Sequence, residues 1–144
     1  LYECRSPRIQ VADESKIIQD YIELEKLRYN NRLTVHFEEN IEQAGGSIAP
    51  LLLLPFVENS FKHGANSTIG DARISVMLSL KNNVLDFKVQ NTVEPGERPS
   101  SSEGIGLKNV QRQLDLIYPD RYELIIEQES GTYTANLCIK LEED

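Results

Sequence analysis

Hydrophobic positions along this chain recur with two periods, about two residues and about 3.6 residues, and switch between them several times. From residue 13 to about residue 30, Ile17, Ile18, Tyr21, Ile22, Leu24 and Leu27 mark one wide face and predict a helix. Asp13 suits its N-cap, and Asn30-Asn31 closes it. Upstream, residues 1–12 hold no clear period, and Pro7 interrupts any helix there. Leu33, Val35 and Phe37 then alternate with Thr34, His36 and Glu38, which predicts a half-buried strand over 33–39 with His36 on its polar side. After a Gly45-Gly46 turn, residues 49–64 are apolar nearly all round. They predict a buried helix opened by Pro50 and capped by Gly64.

The alternating period returns over 72–81 and 83–91, joined by Asn82-Asn83, a pair that tolerates positive φ in a tight turn. Pairing Lys81 with Val84 sets Leu80 against Leu85, Leu78 against Phe87 and Val76 against Val89. The same register puts Asn91 opposite Ile74, a polar side chain directed inward at the end of an apolar face. Residues 92–103 offer almost nothing to bury and predict a mobile loop. A helix follows over about 106–118, with Leu107, Val110, Leu114 and Ile117 at its spacing. Residues 122–128 and 133–141 make a last hairpin around Ser130-Gly131. Ala135, Leu137, Ile139 and Leu141 line one of its faces, and Cys138 lies on the other as a structural residue. Helix, strand, helix, hairpin, loop, helix, hairpin predicts an α+β two-layer sandwich of three helices and about five strands.

Composition narrows the class. The 144 residues suffice for one domain with a proper core. A net charge of -8 argues against a nucleic-acid surface, though a local cluster of donors can still hold a small anion. Cys4 and Cys138 are too few and too far apart for a metal set or a disulfide framework, and two free thiols fit a reducing cytosol. No run of about 18 apolar residues spans a membrane. The chain begins at Leu1 and reads as a fragment of a longer protein.

Candidate chemistry gathers at three places. On the helix over 49–64, Glu58, Asn59 and Lys62 fall on one side with Pro55, a polar stripe on a buried helix. Such a stripe either bonds locally and reaches solvent at the helix end or faces a polar ligand. Asn91 either turns its strand out of the sheet or offers a buried polar contact. Gly104 and Gly106 precede a helix N-terminus, whose free N–H groups can hold phosphate oxygens. They form neither a dinucleotide fingerprint nor a P-loop, because the third glycine and the Gly-Lys-Ser/Thr run are missing.

Taken together, the residues carry a resemblance. Pro-Phe-Val-Glu-Asn-Ser-Phe-Lys-His-Gly at 55–64 resembles the asparagine box of the LytS-like sensor histidine kinases. Gly-Ile-Gly-Leu-Lys-Asn-Val at 104–110 resembles their second glycine box, and residues 20–28 resemble the segment before their ATPase core. The resemblance implies the ATP-binding fold shared with DNA gyrase: a mixed sheet under three helices, with residues 92–105 as a lid. Residues 1–31 would lead in from an upstream dimerisation and phospho-acceptor domain, and 32–144 would form the catalytic domain. By analogy Asn59 would bind magnesium. Lys62 and His63 would reach phosphates or ribose, and the backbones of Gly104, Gly106 and Leu107 would cradle the phosphates. Glu58 is a candidate for polarising the attacking group. A response regulator would act downstream, and the fragment would be a cytoplasmic domain of an inner-membrane parent.

Two departures stand out. Where the family has Asp-x-Gly for the adenine amino group, this chain has Asn91-Thr92-Val93. An amide oxygen still accepts that hydrogen bond, but without charge. Gln113 stands where the family has arginine. His36 and His63 lie in no dimerisation helix, so a phospho-acceptor must come from elsewhere. A non-catalytic signalling module that binds nucleotide weakly or not at all is the competing reading. An ATP-driven clamp of the gyrase type is disfavoured, because Pro55 stands where its glutamate would be.

Overall fold

A computed structural model describes residues 7–29, 32–42, 45–65, 70–93 and 103–141. Its elements in chain order are β1 (Ile9–Gln10), α1 (Val11–Tyr29), β2 (Leu33–Ile41), β3 (Ser47–Ile48) and α2 (Leu54–Ser60). A π-helical turn (Phe61–Ala65) extends α2, followed by β4 (Ala72–Lys81), β5 (Val84–Thr92), α3 (Glu103–Ile117), β6 (Tyr122–Glu129) and β7 (Thr132–Lys140). Cys4, Asn30-Asn31 and residues 94–102 of the predicted loop lie outside the described residues.

Five strands form one mixed sheet in the order β2-β4-β5-β7-β6. β2 and β4 run parallel, as a long crossover through α2 allows; the other neighbours are antiparallel. The first hairpin has the expected register, from Lys81↔Val84 to Ile74↔Asn91, and Asn82 and Asn83 turn at φ 52 and 61. The second turns at Ser130 and Gly131, with φ 48 and 84. Alternation decides the layers. Ile74, Val76, Leu78, Leu85, Phe87 and Val89 are buried under the helices. The opposite face carries exposed Thr34, His36 and Arg73 and the partly covered Ser75 and Gln90. Cys138 lies on that polar face, half-buried and unpaired, and burial pushes its thiol up, which suits an inert residue.

α1 buries Ile18 and Ile22, α2 buries Phe56 and Val57, and α3 buries Val110 and Leu114. Tyr118, just past α3, is a buried pin. Its hydroxyl accepts from Arg8 Nη1 at 2.7 Å and from the Ala49 N–H at 3.1 Å. These bonds secure a two-stranded strap, β1 with β3, whose members are too short for any periodicity to reveal.

Several predicted helix ends change, and at the start of α2 a distant group replaces the local cap. α1 begins at Val11, so Asp13 sits inside its first turn, where a negative charge still suits the helix dipole. α2 begins at Leu54 rather than Pro50, because Leu51 adopts φ 58 and Pro55 takes the early-proline position. Its free N–H groups are capped by Glu14, which reaches across from α1. Glu14 accepts from Leu51 at 2.5 Å, from Leu53 at 2.6 Å and from Leu54 at 3.3 Å. At the far end the chain continues into the π-helical turn, so Gly64 lies within helical structure and is not a C-cap. α3 begins at Glu103, which puts Gly104 and Gly106 in its first turn rather than before it.

Glu14 is fully buried (0% exposed). Burial pushes its carboxyl above the usual value, and the backbone N–H groups of residues 51–54 pull it back only in part. A carboxyl raised on folding contributes stability that is full below its unfolded pKa and is lost as pH rises through its folded value. Urea denaturation from about pH 4 to about pH 7 should therefore show that decline in the native chain and a flatter profile in Glu14→Gln. Parallel profiles would contradict the burial of a titrating carboxyl.

Candidate nucleotide-binding site

Asn91 points under the helices, as the hairpin register requires, and is 1% exposed. Its Nδ2 donates to the Thr92 carbonyl at 3.1 Å, and its Oδ1 has no partner. The helix above it is close. A Cβ built on Gly64 would lie 2.9 Å from both Asn91 Cβ and Asn91 Nδ2. Glycine is therefore required at 64 by close approach to the strand. The π-helical turn brings this stretch onto the sheet, and such turns are common at functional sites.

Next to Gly64, His63 is half-buried, and its Nε2 is buried without a partner. Among the described residues, Asn91 Oδ1 and His63 Nε2 are the two buried side-chain atoms left unbonded. An unmade buried hydrogen bond costs about 1–3 kcal/mol, so two of them, one on Asn91 and one on the residue beside the Gly64 that rests on it, call for a partner. One is an acceptor. The other is a ring nitrogen that donates or accepts according to its tautomer.

The polar stripe of α2 faces away from the sheet. Glu58 and Lys62 are exposed, and Asn59 and Pro55 are half-buried. Glu58 lies toward α1. The Tyr21 phenol there is pushed well above its usual range by burial first and by the Glu25 and Glu58 carboxylates next. Asn59 is one turn before His63 along the same helical segment. α3 packs against α2. Leu107 packs on the core, and Gly106 faces open space, with nothing within 4 Å of a built Cβ. By helix geometry the N–H groups of Glu103, Gly104 and Ile105 have no partner within α3, whereas Gly106 and Leu107, predicted as phosphate-cradling backbone, fall inside its hydrogen-bond ladder.

No group of three or more His, Cys, Asp or Glu among the described residues could hold a metal ion. Magnesium suits such a place only as a phosphate-bound ion, since it keeps waters and phosphate oxygens and takes one or two protein ligands. The half-buried amide of Asn59 fits that limited role.

The sequence pointed to Asn91 and the α2 stripe. It did not point to the packing role of Gly64, because a glycine at a helix end looks like a cap. Nor did it point to Glu14, because a glutamate in a first turn ordinarily faces water.

No family model matches the chain. Over 126 residues it is 24% identical to the sensor histidine kinase BtsS of Escherichia coli, covering 88% of this chain and 22% of that protein. It is 30% identical over 146 residues to the sensor protein LytS of Staphylococcus epidermidis, covering 92% and 25% respectively. The chain thus spans about a quarter of the length of these curated relatives. The catalytic domain of histidine kinase ThkA superposes with a TM-score of 0.60 at 13% identity, over 93% of this chain and 94% of that one. ThkA has also been solved in complex with the response regulator TrrA. The chain is a distant homologue of LytS-type and BtsS-type sensor kinases over most of its length, and its fold is that of histidine kinase catalytic domains.

Thermal denaturation should separate the two glycines. Gly64→Ala is expected to lose about 1–3 kcal/mol through overpacking against Asn91. Gly106→Ala, in open space within a helix, is expected to be neutral or to gain up to about 1 kcal/mol. Equal losses would show that Gly64 is not a contact-limited position.

Proposed function

We propose that this chain is the ATP-binding catalytic domain of a two-component sensor histidine kinase, transferring the γ-phosphoryl group of ATP to a histidine in a separate dimerisation domain. The observation that carries this reading is Asn91 Oδ1, a buried acceptor without a partner under the helix that bears the asparagine box. With Nδ2 engaged by Thr92, the oxygen is the free end of that amide and suits the exocyclic amino group of adenine.

The remaining roles follow from position. Asn59 would supply an amide oxygen to a phosphate-bound magnesium ion. Lys62 and the orphaned His63 Nε2 would reach the phosphates or the ribose. Of the backbone groups expected to cradle phosphates, the Gly104 N–H at the positive end of α3 would hold a phosphate oxygen, while those of Gly106 and Leu107 are engaged in the helix. Magnesium, when bound, neutralises charge on the phosphate oxygens, so the chain's own work is positioning. Glu58, exposed and on the α1 side, is placed to meet an approaching acceptor and is proposed as the group that polarises it. In the transfer a P–N bond to the acceptor imidazole forms, the β,γ P–O bond breaks, ADP leaves and the imidazole proton is released. His36, on the opposite face of the sheet, and His63, at the site, are poor acceptors by location. A response regulator is proposed as the downstream partner, as in the ThkA complex. The domain would sit on the cytoplasmic side of a membrane-anchored parent; no helix among the described residues is long and apolar enough to cross a membrane.

A non-catalytic module is the second reading, favoured by the neutral Asn91 in place of a carboxylate. Calorimetric titration with a non-hydrolysable ATP analogue, with and without magnesium, decides between them. Magnesium-dependent binding that is lost in Asn59→Ala, with phosphorylation of a supplied acceptor domain, is the expected outcome. No heat at millimolar nucleotide would sink ATP binding, and binding without transfer would favour the module.

A further inference from the structure

α1 holds both ends of the helical rod that carries the site. At one end, the buried Glu14 carboxylate takes the N–H groups of Leu51, Leu53 and Leu54. At the other, Tyr21 meets Phe61 edge-on at 5.5 Å, and Tyr29 stacks at a tilt at 6.3 Å. Between these attachments lie Glu58 and Asn59, and Lys62, His63 and Gly64 follow directly on Phe61 in the π-helical turn.

The Glu14 end carries strain. Leu51 has φ 58, a left-handed conformation that a leucine adopts only when its surroundings impose it. The residue is 51% exposed, so side-chain packing does not account for that conformation, and its N–H is one of the three that Glu14 accepts. Nor is stability a sufficient reason for the carboxylate. Its raised pKa means that burying the charge costs the folded state more than the N–H bonds return. A buried charge kept at a cost to stability is accounted for when it fixes one arrangement among several.

We infer that Glu14 is a positioning residue for the site: it ties the start of α2 to α1 and so sets where the segment that carries Asn59, His63 and Gly64 lies relative to Asn91. Its consequence for ligand binding rests on the nucleotide reading above; the mechanical coupling does not. A displacement of α1 reaches the start of the site helix through this carboxylate, as it reaches Phe61 through Tyr21 and Tyr29.

Amide hydrogen exchange on the ligand-free chain tests the coupling, with Glu14→Ala, Glu14→Gln and, as a control, Leu137→Ala in the buried face of β7. Glu14→Ala is expected to speed exchange over 54–64 by about tenfold or more relative to the 72–92 hairpin, the mark of local opening. Glu14→Gln keeps one acceptor oxygen and should fall between it and the native chain. Leu137→Ala should raise exchange without favouring 54–64. A second arm titrates the ATP analogue with magnesium. Affinity should fall about tenfold in Glu14→Ala and stay within about twofold in Leu137→Ala, with Glu14→Gln restoring part of the loss. Exchange over 54–64 that is unchanged, or raised no more than elsewhere, in both Glu14 variants would overturn the inference. So would equal affinity losses in Glu14→Ala and Leu137→Ala. A native chain that binds no nucleotide would remove the ATP reading alone, and the exchange result would still decide the coupling.

Discussion

The close approach of Gly64 to Asn91 is the contact on which the arrangement turns. Everywhere else the helix-covered face of β4 and β5 is apolar, and aliphatic and aromatic side chains keep helix and sheet at ordinary packing distance. At Asn91 the sheet presents an amide, and the missing Cβ of Gly64 lets the backbone above settle onto it. The result is an amide with its nitrogen satisfied by its own strand and its oxygen left over. A larger residue at 64 would lift the helix. An apolar residue at 91 would close the core and remove the unpaired acceptor.

The helix itself depends on its neighbours. α2 has 7 residues and its π-helical extension 5, lengths at which an isolated helix does not persist in water. Tertiary packing holds it: Phe56, Val57 and Phe61 are buried, each contributing about 1.5–3 kcal/mol as an upper bound. Glu14 supplies the N-terminal cap that no residue beside α2 provides. The segment richest in candidate chemistry is thus shaped by contacts far away in sequence. It is short, polar on its outer side and held at both ends by α1.

That dependence explains what could be read in advance. The β4–β5 hairpin was legible residue by residue, because alternation and a two-asparagine turn are local, and register then follows. The inward direction of Asn91 came with it. Helix existence was legible as well, but helix ends were not. Asp13, Pro50 and Gly64 each have the residue type of a cap, yet the N-terminus of α2 is capped from α1, and Gly64 serves packing. Gly104 and Gly106 were expected before a helix and lie within its first turn, because α3 begins about three residues earlier than its apolar period shows. The β1–β3 strap and the pinning by Tyr118 left no periodic signal, since each rests on one or two residues meeting across the fold. The motif stretches at 55–64 and 104–110 were legible as a family resemblance, although Phe56, Val57, Phe61 and Val110 within them are core residues.

If Asn91 Oδ1 is the acceptor that reads the base, the site must distinguish an amino group from a carbonyl at that point. Competition between ATP and inosine triphosphate, in magnesium and on the native chain, measures this directly. Inosine carries a carbonyl oxygen where adenine carries its amino group, so two acceptors would face each other and the Asn91 bond would go unmade. The account predicts that the inosine nucleotide binds at least about tenfold more weakly, in keeping with the cost of an unsatisfied buried group. Equal affinity for the two nucleotides would contradict it, and would mean that Asn91 is buried for some purpose other than recognition.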